Sequence, residues 1–316
     1  MGRKRNYGRP LDGVVVVDKT VGMTSNDVVQ QAKRLFYASK AGHTGALDPL
    51  ATGVLPICFG NSTKFSQYLL DADKTYESTF CLGVNTDTAD AEGRVVDEFD
   101  AAHLTRADVE GAIDKYRGDI AQIPPMYSAL KKDGQPLYKL ARQGIEVERE
   151  ARQITIYRFE LLGFIPGVRA LARVLVECSK GTYIRSLAED IGRDLGVGGH
   201  VEGLRRTRAG TYDIGQAVSL ADLQSERLEQ DAEVLDHHLL PVDSPLQGLG
   251  SLCLEESSAF YFKRGQAVMD NEVYRIGDEG DTVRVFDACG QFLGVGQITD
   301  DGRIAPKRLI ADPSTH

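Results

Sequence analysis

The stretch ITIYRFELLGFIPGVRALARVLVEC, residues 154–178, predicts two β-strands joined by a tight turn. Pro166 and Gly167 separate two apolar runs, and a Pro-Gly pair is a strong turn signal. Alternate residues of the second run are apolar, so they share one face of a strand. We therefore predict an antiparallel hairpin with strands at 154–165 and 169–178.

The segments around this hairpin mix helical and strand patterns. TYIRSLAEDIGRDLG, residues 182–196, has apolar residues at helical spacing and ends on Gly196, where a helix C-terminus favours glycine. Ser25 is expected to cap an earlier helix, and Thr105 with Asp108 to form a capping box. Further strands are predicted at 14–17 and 76–83, and further helices at 25–36 and 105–116. This order lacks regular βαβ units and predicts an α+β domain around a mixed, largely antiparallel sheet.

A change of composition at residues 222–250 indicates a domain boundary, because the chain becomes acidic and then rich in Pro, Ser and Gly. Short strand-like segments broken by glycine follow, and they are typical of a small β-barrel. These segments are EVYRIG, DTVRVF and QFLGVGQI. We predict a flexible basic arm at 1–10, a large domain at 11–248 and a small β-barrel domain at 249–314.

The composition excludes several classes of protein. Of the 316 residues, 42% are hydrophobic and 26% charged, as in ordinary globular proteins, and no apolar window is long enough for a membrane helix. The basic N-terminus lacks the apolar segment of a secretory signal, so we predict a cytoplasmic protein. Five scattered cysteines without a CxxC pair, and six histidines of which only His237 and His238 are adjacent, predict reduced thiols and no metal site.

The charge pattern leaves nucleic-acid binding open. The net charge of −9 argues against a nucleic-acid partner. Basic residues nevertheless cluster at 3–5, 131–132 and 180–208. An acidic protein with such tracts can still present a positive face to phosphate, although ordinary surface patterning would give the same sequence.

The loop GHTGALDPLATG, residues 42–53, is the first candidate for chemistry. Asp-Pro is a common turn former, so a structural role for Asp48 is the simple reading. Gly45 and Gly53, however, allow close backbone approach, and functional residues concentrate on loops held by a scaffold. Spacing alone does not identify the reaction.

Three further segments place a tyrosine beside basic residues, and a fourth places three arginines near Leu204, although packing or a surface turn would also explain each. An arginine near Asp48 would keep that carboxylate ionised. Rings can stack on an extruded RNA base while cations hold the backbone. The segments are KTYES (74–78), PPMYSALKKDG (124–134), SKGTYIRS (179–186) and HVEGLRRTRAG (200–210).

Five motifs in this order resemble the TruB family of tRNA pseudouridine synthases, bacterial type, from about residue 11 to about 310. They are AGHTGALDPLATGVLPICFG, DKTYE, NTDTADAEG, PPMYSALK and CSKGTYIRSLAEDIG. Thr20 departs from the family, which usually has proline there. YFKRGQAV and FLGVGQI resemble a PUA domain more weakly.

The resemblance implies that the protein isomerises uridine 55 in the T loop of tRNA to pseudouridine, with no metal or cofactor and no protein partner, as a monomer. Asp48 would be the catalytic nucleophile or base. Attack on the sugar, attack on the base and removal of a sugar proton are all open roles.

The resemblance also assigns roles to other residues. Tyr76 would stack on the flipped base, His43 would support the nucleotides beside the vacated position, and Arg185 would pair with Asp48. Tyr183 and Leu204 would line the pocket. Lys19, Lys131 and the arm at 3–9 would contact phosphates.

Two other functions fit parts of the sequence. A non-catalytic protein that binds tRNA and helps it fold would use the same face, but it would not need Asp48 with Tyr76 and Arg185. A hydrolase with Asp48 as general base would need a second catalytic carboxylate, a metal site or a Ser-His pair, and we find none to place beside it.

Overall fold

The computed structural model describes residues 8–310, which form two β-sheets with helices packed against them. The strands are β1 (Gly13–Lys19), β2 (Ala41–His43), β3 (Thr52–Phe59), β4 (Lys74–Leu82), β5 (Val84–Thr86), β6 (Val95–Glu98), β7 (Gly118–Gln122), β8 (Lys131–Lys132), β9 (Gln135–Pro136), β10 (Arg152–Ile165), β11 (Ala170–Cys178), β12 (Gly199–Ala209), β13 (Tyr212–Asp213), β14 (Val218–Ser219), β15 (Ser251–Leu254), β16 (Val268–Met269), β17 (Thr282–Asp287), β18 (Phe292–Ile298) and β19 (Arg303–Leu309). The helices are α1 (Ser25–Leu35), α2 (Ser66–Leu70), α3 (Arg106–Asp114), α4 (Leu137–Ala141), α5 (Ile184–Asp194), α6 (Leu220–Arg227), α7 (Glu256–Phe262) and α8 (Val273–Ile276). Short 3-10 helices lie at Gly60–Lys64, Ile214–Gln216, Ala232–His238 and Ser244–Leu246.

The large sheet has the order β14-β1-β3-β12-β4-β11-β10-β7, with β2 on β3 and β13 on β12. Strand β1 pairs in parallel with β14, and β12 with β3, while the other neighbours in this order are antiparallel. The predicted α+β fold with a mixed, largely antiparallel sheet is confirmed. The predicted hairpin is also confirmed, since β10 and β11 pair up to Ile165 opposite Leu171.

The core of the large sheet consists of two main clusters that meet near its middle. One cluster packs α3 and α5 against β4, β10 and β11, and the other packs α1 and α6 against β1 and β3. Tyr76 on β4 and Leu204 on β12 are partly buried and pack against both clusters. These two side chains therefore mark the seam between the two halves of the sheet.

The N-cap of α1 is Thr24 rather than Ser25, and this corrects the sequence prediction. The Thr24 hydroxyl accepts a hydrogen bond from the Asp27 amide, and the Asp27 carboxylate accepts one from the Thr24 amide. A capping box needs an acid three residues after the cap, and only Thr24 has one. The predicted capping box of Thr105 and Asp108 is present, and Gly196 has a φ of +74° after α5, as expected.

The second sheet has the order β15-β17-β18-β19-β16. In the described residues β15 and β16 form its edges, so the predicted barrel is a curled half-barrel. EVYRIG was expected to be a strand and instead contains α8, because Val273 and Ile276, three residues apart, both pack into the core of this sheet. Phe65, directly before α2, and Phe292 on β18 have ring centroids 5.4 Å apart and belong to one small apolar cluster.

Two expectations concern the chain ends and membranes. Most of the basic arm predicted at 1–10, including the cations at 3–5, lies outside the described residues. Arg9 lies within them, and its guanidinium donates to Asp236 and to the Phe36 carbonyl, so it links the 3-10 helix Ala232–His238 to the end of α1.

Within residues 8–310, no helix is both long and apolar enough to cross a membrane.

Gly53, at the start of β3, is required by the contact between β3 and β12. Its φ is +100°, and a Cβ there would lie 2.2 Å from the Arg206 carbonyl oxygen. We expect Gly53→Ala to lower the free energy of unfolding by about 3 kcal/mol or more, because backbone strain and overpacking each cost about 1–3 kcal/mol. Denaturant unfolding measures this change.

Gly118→Ala is the matched control for Gly53→Ala. Gly118 also has a positive φ, +81°, but a Cβ there would meet no atom within 4 Å. We expect a loss of only about 1–2 kcal/mol, from backbone conformation alone. Equal losses in the two variants would show that the close approach to β12 is unimportant.

Candidate active site

The loop that carries Asp48 is anchored by helix α1. The Ser25 hydroxyl donates to the Leu47 carbonyl at 3.0 Å and accepts from the Leu47 amide at 2.7 Å. Ser25 and Leu47 are both buried, so these bonds lie away from water. One hydroxyl therefore satisfies both polar backbone groups of the residue before Asp48 and fixes the direction in which the loop leaves it.

Lys19 anchors the other side of the same loop. Its side chain is fully buried, and Nζ donates to the carbonyls of Thr20, Pro49 and Ala51 at 3.0, 3.1 and 2.5 Å. The sequence analysis assigned Lys19 to RNA phosphates, but in this structure all three of its donors serve the backbone. Burial lowers the pKa of the Lys19 ammonium to about 8.

Arg206 holds the two ends of the loop. Its buried guanidinium donates to the Val54 carbonyl at 2.8 Å and to the Gly45 carbonyl at 3.1 Å, and its charge partly offsets the rise that burial causes in the pKa of the Tyr76 hydroxyl. The strand register places Arg206 opposite Gly53 on one side and Tyr76 on the other. Backbone register thus brings the loop and Tyr76 to the same row of the sheet.

Arg185, in the first turn of α5, forms the central ion pair of the site. Its Nε lies 2.9 Å from Asp48 Oδ2, and its two terminal nitrogens donate to the carbonyls of Thr88 and Tyr127 at 3.0 and 2.8 Å. The Arg185 side chain is only 6% exposed, whereas that of Asp48 is 43% exposed. The rigid guanidinium is therefore fixed from behind while the carboxylate stays accessible to solvent on one side.

A second carboxylate, Asp90, lies behind the same guanidinium. Asp90 Oδ2 is 3.7 Å from Arg185 Nε, and its side chain is 6% exposed. Asp90 Oδ1 accepts from the Thr88 hydroxyl at 2.5 Å and from the Glu92 amide at 3.1 Å. One cation is thus shared between a buried carboxylate and an accessible one.

The charges around Asp48 act on its pKa in opposite directions. Burial raises the pKa of the Asp48 carboxyl, the Arg185 guanidinium lowers it, and the Asp90 carboxylate raises it again. The net shift is upward. A carboxylate with a raised pKa is more basic and more nucleophilic than an ordinary aspartate once it is ionised.

The aromatic residues predicted for the site lie around its seam. Tyr183 caps α5, and Gln122 fixes it by bonding both its backbone amide and its carbonyl, at 2.8 and 3.0 Å. Burial raises the pKa values of the Tyr76 and Tyr183 hydroxyls, and the Asp48 charge contributes to both shifts. Leu204 packs against the same seam as Tyr76.

His43 ends β2, directly before the Asp48 loop. Its Nδ1 is buried and has no hydrogen-bond partner within the described residues. Burial lowers the pKa of the imidazole, and the Arg206 charge lowers it further. His43 is therefore a neutral ring with an unsatisfied polar atom.

The basic residues divide into paired and available groups. Lys180, Arg205 and Arg208 form ion pairs with Asp71, Asp18 and Glu177, so most of the predicted basic run at 180–208 is engaged within the protein. Lys131 is exposed on the β8–β9 hairpin. Residues 123–145 contain four Lys and Arg residues and one acidic residue. The positive charge of this segment is therefore more available to RNA phosphates than that of the run at 180–208.

The sequence analysis missed the residues that position the site. Asp90 belongs to NTDTADAEG, which was recognised as a motif without a role for any of its residues. Ser25, Gln122 and Arg206 act through backbone carbonyls and amides, and such partners leave no pattern in a sequence.

Comparison with known proteins gives the family. Residues 33–184 match the TruB family pseudouridylate synthase N-terminal domain, and residues 185–247 and 250–310 match two TruB C-terminal domains. The tRNA pseudouridine synthase B of Saccharophagus degradans is 64% identical, and that of Pseudomonas aeruginosa strain UCBPP-PA14 is 53% identical. Each comparison covers 98% of this chain and 99% of the relative.

Solved structures show the same fold. The chain superposes on a chain of a Cbf5–Nop10–Gar1 complex with a TM-score of 0.72 and 25% identity, over 99% of this chain and 92% of the other. A chain of an archaeal box H/ACA Nop10–Cbf5 complex gives a TM-score of 0.68 at 23% identity, over 98% and 93%. These structures show the fold, and the family models and the relatives show that the chain belongs to the TruB family of pseudouridylate synthases.

Proposed function

We propose that the protein isomerises uridine 55 in the T loop of tRNA to pseudouridine, with Asp48 acting directly on the flipped nucleoside. The observation that carries this proposal is the Asp48–Arg185 pair, 2.9 Å apart, beside Tyr76 at the seam of the sheet. Family membership supplies the reaction class, and the names of the relatives support tRNA as the substrate.

The reaction breaks the N-glycosidic bond, turns the uracil over and rejoins it through C5. Asp48 is the carboxylate that meets the nucleoside, since it is the accessible member of the Asp48–Arg185–Asp90 group. Arg185 orients it and keeps it ionised. Asp90 acts behind Arg185, because its carboxylate is buried and bonded to Thr88 and Glu92.

The target uridine has to leave its stack before Asp48 can reach it, at a cost of a few kcal/mol. Tyr76, with Tyr183 and Leu204 nearby, offers the apolar surface on which the flipped base can stack, worth about 1–3 kcal/mol. The neutral ring of His43, with its unsatisfied Nδ1, is suited to support the nucleotides beside the vacated position.

A tRNA-folding role without catalysis is the alternative. It would use the same RNA-binding face, but it would give no reason for an accessible carboxylate held against a buried arginine. One assay separates the two functions. Incubation with an unmodified tRNA transcript, followed by mapping of pseudouridine, should show a single modified position in the T loop; no modified nucleotide at all would favour the folding role.

The raised pKa of Asp48 predicts an acid limb in the pH profile. A protonated Asp48 cannot act as nucleophile or base, so kcat/KM should fall as the pH drops through that raised pKa. Asp90→Asn removes a charge that raises the pKa of Asp48, so the limb should move to lower pH. Single-turnover rates measured from about pH 4 to about pH 8, a range that begins near the ordinary pKa of an aspartate, give the shift of the acid limb.

Asp97→Asn is the control for the Asp90 variant. Asp97 is exposed on β6 and does not contribute to the pKa of Asp48. Its pH profile should match that of the wild type. An acid limb that stays in place in Asp90→Asn would show that the two carboxylates do not interact.

We also propose that the segment around Lys131 contacts the RNA backbone. Binding of tRNA should weaken steeply with salt despite the net charge of −9, because local cations release counterions from phosphate. Lys131→Ala should reduce the slope of log K against log salt by about 1. Lys180→Ala is the control, since Lys180 is already paired with Asp71, and it should leave the slope unchanged.

A further inference from the structure

Three side chains that can bind a metal ion converge on the large sheet, away from the Asp48 site. Cys81 on β4 lies directly opposite His200 on β12 in the strand register, and Glu202 follows at a β-bulge between Val201 and Gly203. The Cys81 Sγ, a His200 ring nitrogen and a Glu202 carboxylate oxygen all lie within 4.8 Å of one another. Backbone pairing alone brings them together.

These side chains occupy the face of the sheet opposite the core. Phe80 and Val201, the neighbours of Cys81 and His200, belong to the core cluster, and side chains alternate between faces along a strand. Cys81 and His200 are each 5% exposed, whereas the Glu202 side chain is 51% exposed. The group is therefore sheltered on two sides and open on the side of the carboxylate.

The hydrogen bond that His200 makes to the backbone leaves a place for a cation between the His200 ring and the Glu202 carboxylate. His200 Nδ1 lies 2.9 Å from the Val84 carbonyl, which can only accept, so Nδ1 carries the proton. In a neutral ring Nε2 then presents a lone pair, and it faces Glu202 Oε2 at 3.4 Å. Two acceptors face each other favourably only when a proton or a metal ion lies between them.

The thiol favours a metal ion as that cation. We propose that Cys81, His200 and Glu202 form a site for a divalent metal ion of borderline softness, with Zn²⁺ as the best match. Thiolate, imidazole and carboxylate are the three ligand types of protein zinc sites, and a solvent molecule would complete a tetrahedron. The Val84 carbonyl accepts a hydrogen bond from His200 Nδ1 and so fixes the ring, as carbonyls and carboxylates do behind metal-bound histidines.

Metal binding would release the Cys81 thiol proton to solvent, because the thiolate is the ligand. The ion would thus link β4 to β12, the two strands that carry Tyr76 and Leu204. Its expected effect is to stabilise the sheet, since a ligand that binds the folded state raises Tm with concentration.

The test uses the full chain, stripped with a chelator and titrated with Co²⁺ alone and then with Zn²⁺ alone. We expect one Co²⁺ per chain with a thiolate-to-metal absorption band, its displacement by Zn²⁺, and a rise in Tm with Zn²⁺. Cys81→Ser should abolish the band and the rise in Tm. Glu202→Gln, at an exposed position that leaves the fold intact, should weaken binding at least about tenfold.

Two controls separate this site from other groups whose side chains could hold a metal ion. Cys289→Ser removes an exposed thiol in the turn between β17 and β18 and should leave the Co²⁺ band unchanged. Glu226, His237 and His238 also converge, but they contain no thiol, so the double substitution of both histidines by alanine should keep the band. The proposal is overturned if no band forms, if the band survives Cys81→Ser, or if Glu202→Gln binds like the wild type.

Discussion

Asp48→Asn should bind unmodified tRNA with an affinity close to that of the wild type and form no pseudouridine. The asparagine keeps the size of the side chain and its place beside Arg185 but removes the negative charge that attacks or takes a proton. Removing a nucleophile that acts as part of a unit costs orders of magnitude in rate, so we expect a loss of at least about 10³-fold. Single-turnover pseudouridine formation and filter binding measure the two quantities separately.

The anchors of the Asp48 loop make this variant a clean test. Ser25 and Lys19 bond the backbone of Leu47, Pro49 and Ala51, and none of these bonds uses the Asp48 side chain. The loop should therefore keep its shape in Asp48→Asn, and Tm should change little. Asp71→Asn, an exposed acid paired with Lys180, is the matched control and should retain full activity. Turnover near the wild-type rate in Asp48→Asn would disprove the assignment.

Arg185→Lys should lose at least about 10²-fold in kcat/KM although it keeps the positive charge. The guanidinium reaches three partners in fixed directions, Asp48 with Nε and the Thr88 and Tyr127 carbonyls with its two terminal nitrogens. A single ammonium on a flexible chain cannot reproduce this planar fork. Asp48 would then lose its fixed orientation, while contacts to the RNA backbone would remain.

Arg185→Ala should in addition destabilise the fold. It leaves the buried Asp90 without its cation and two carbonyls without a donor, and breaking a buried pair in this way costs about 3–5 kcal/mol. Denaturant unfolding measures this loss, and Arg193→Ala, an exposed arginine on the same helix, should show little change. If Arg185→Lys retained wild-type kcat/KM, charge alone would account for the role of Arg185.

The sequence predicted the elements of the fold well where one pattern dominated. Alternation and the Pro-Gly pair predicted the β10–β11 hairpin, and helical spacing with Gly196 predicted α5 and its end. EVYRIG failed because six residues are too few to separate a strand from one helical turn. Ser25 failed as a cap because two adjacent hydroxyl residues, Thr24 and Ser25, stand at the start of α1, and the acid at Asp27 selects the first of them.

Part of the site was predicted from the resemblance to a family rather than from a pattern of secondary structure. Asp48 and Arg185 were expected to pair because of a resemblance between motifs, and the structure places them 2.9 Å apart. Lys19 was assigned to phosphates from the same resemblance, and nothing in the sequence indicates the three carbonyls that converge on its ammonium. Asp90 and Arg206 depend on strand register, which brings together residues far apart in the chain.

The position of Arg206 has a consequence for the order of synthesis. The loop around Asp48 is translated early, but the guanidinium that binds the Gly45 and Val54 carbonyls belongs to β12, in the second half of the chain. Strand β12 also separates β3 from β4, so those two cannot reach their final spacing before it emerges. While the nascent chain is on the ribosome, the loop that carries Asp48 therefore lacks its Arg206 contacts. The site can assemble only after translation has passed β12, well beyond the middle of the message.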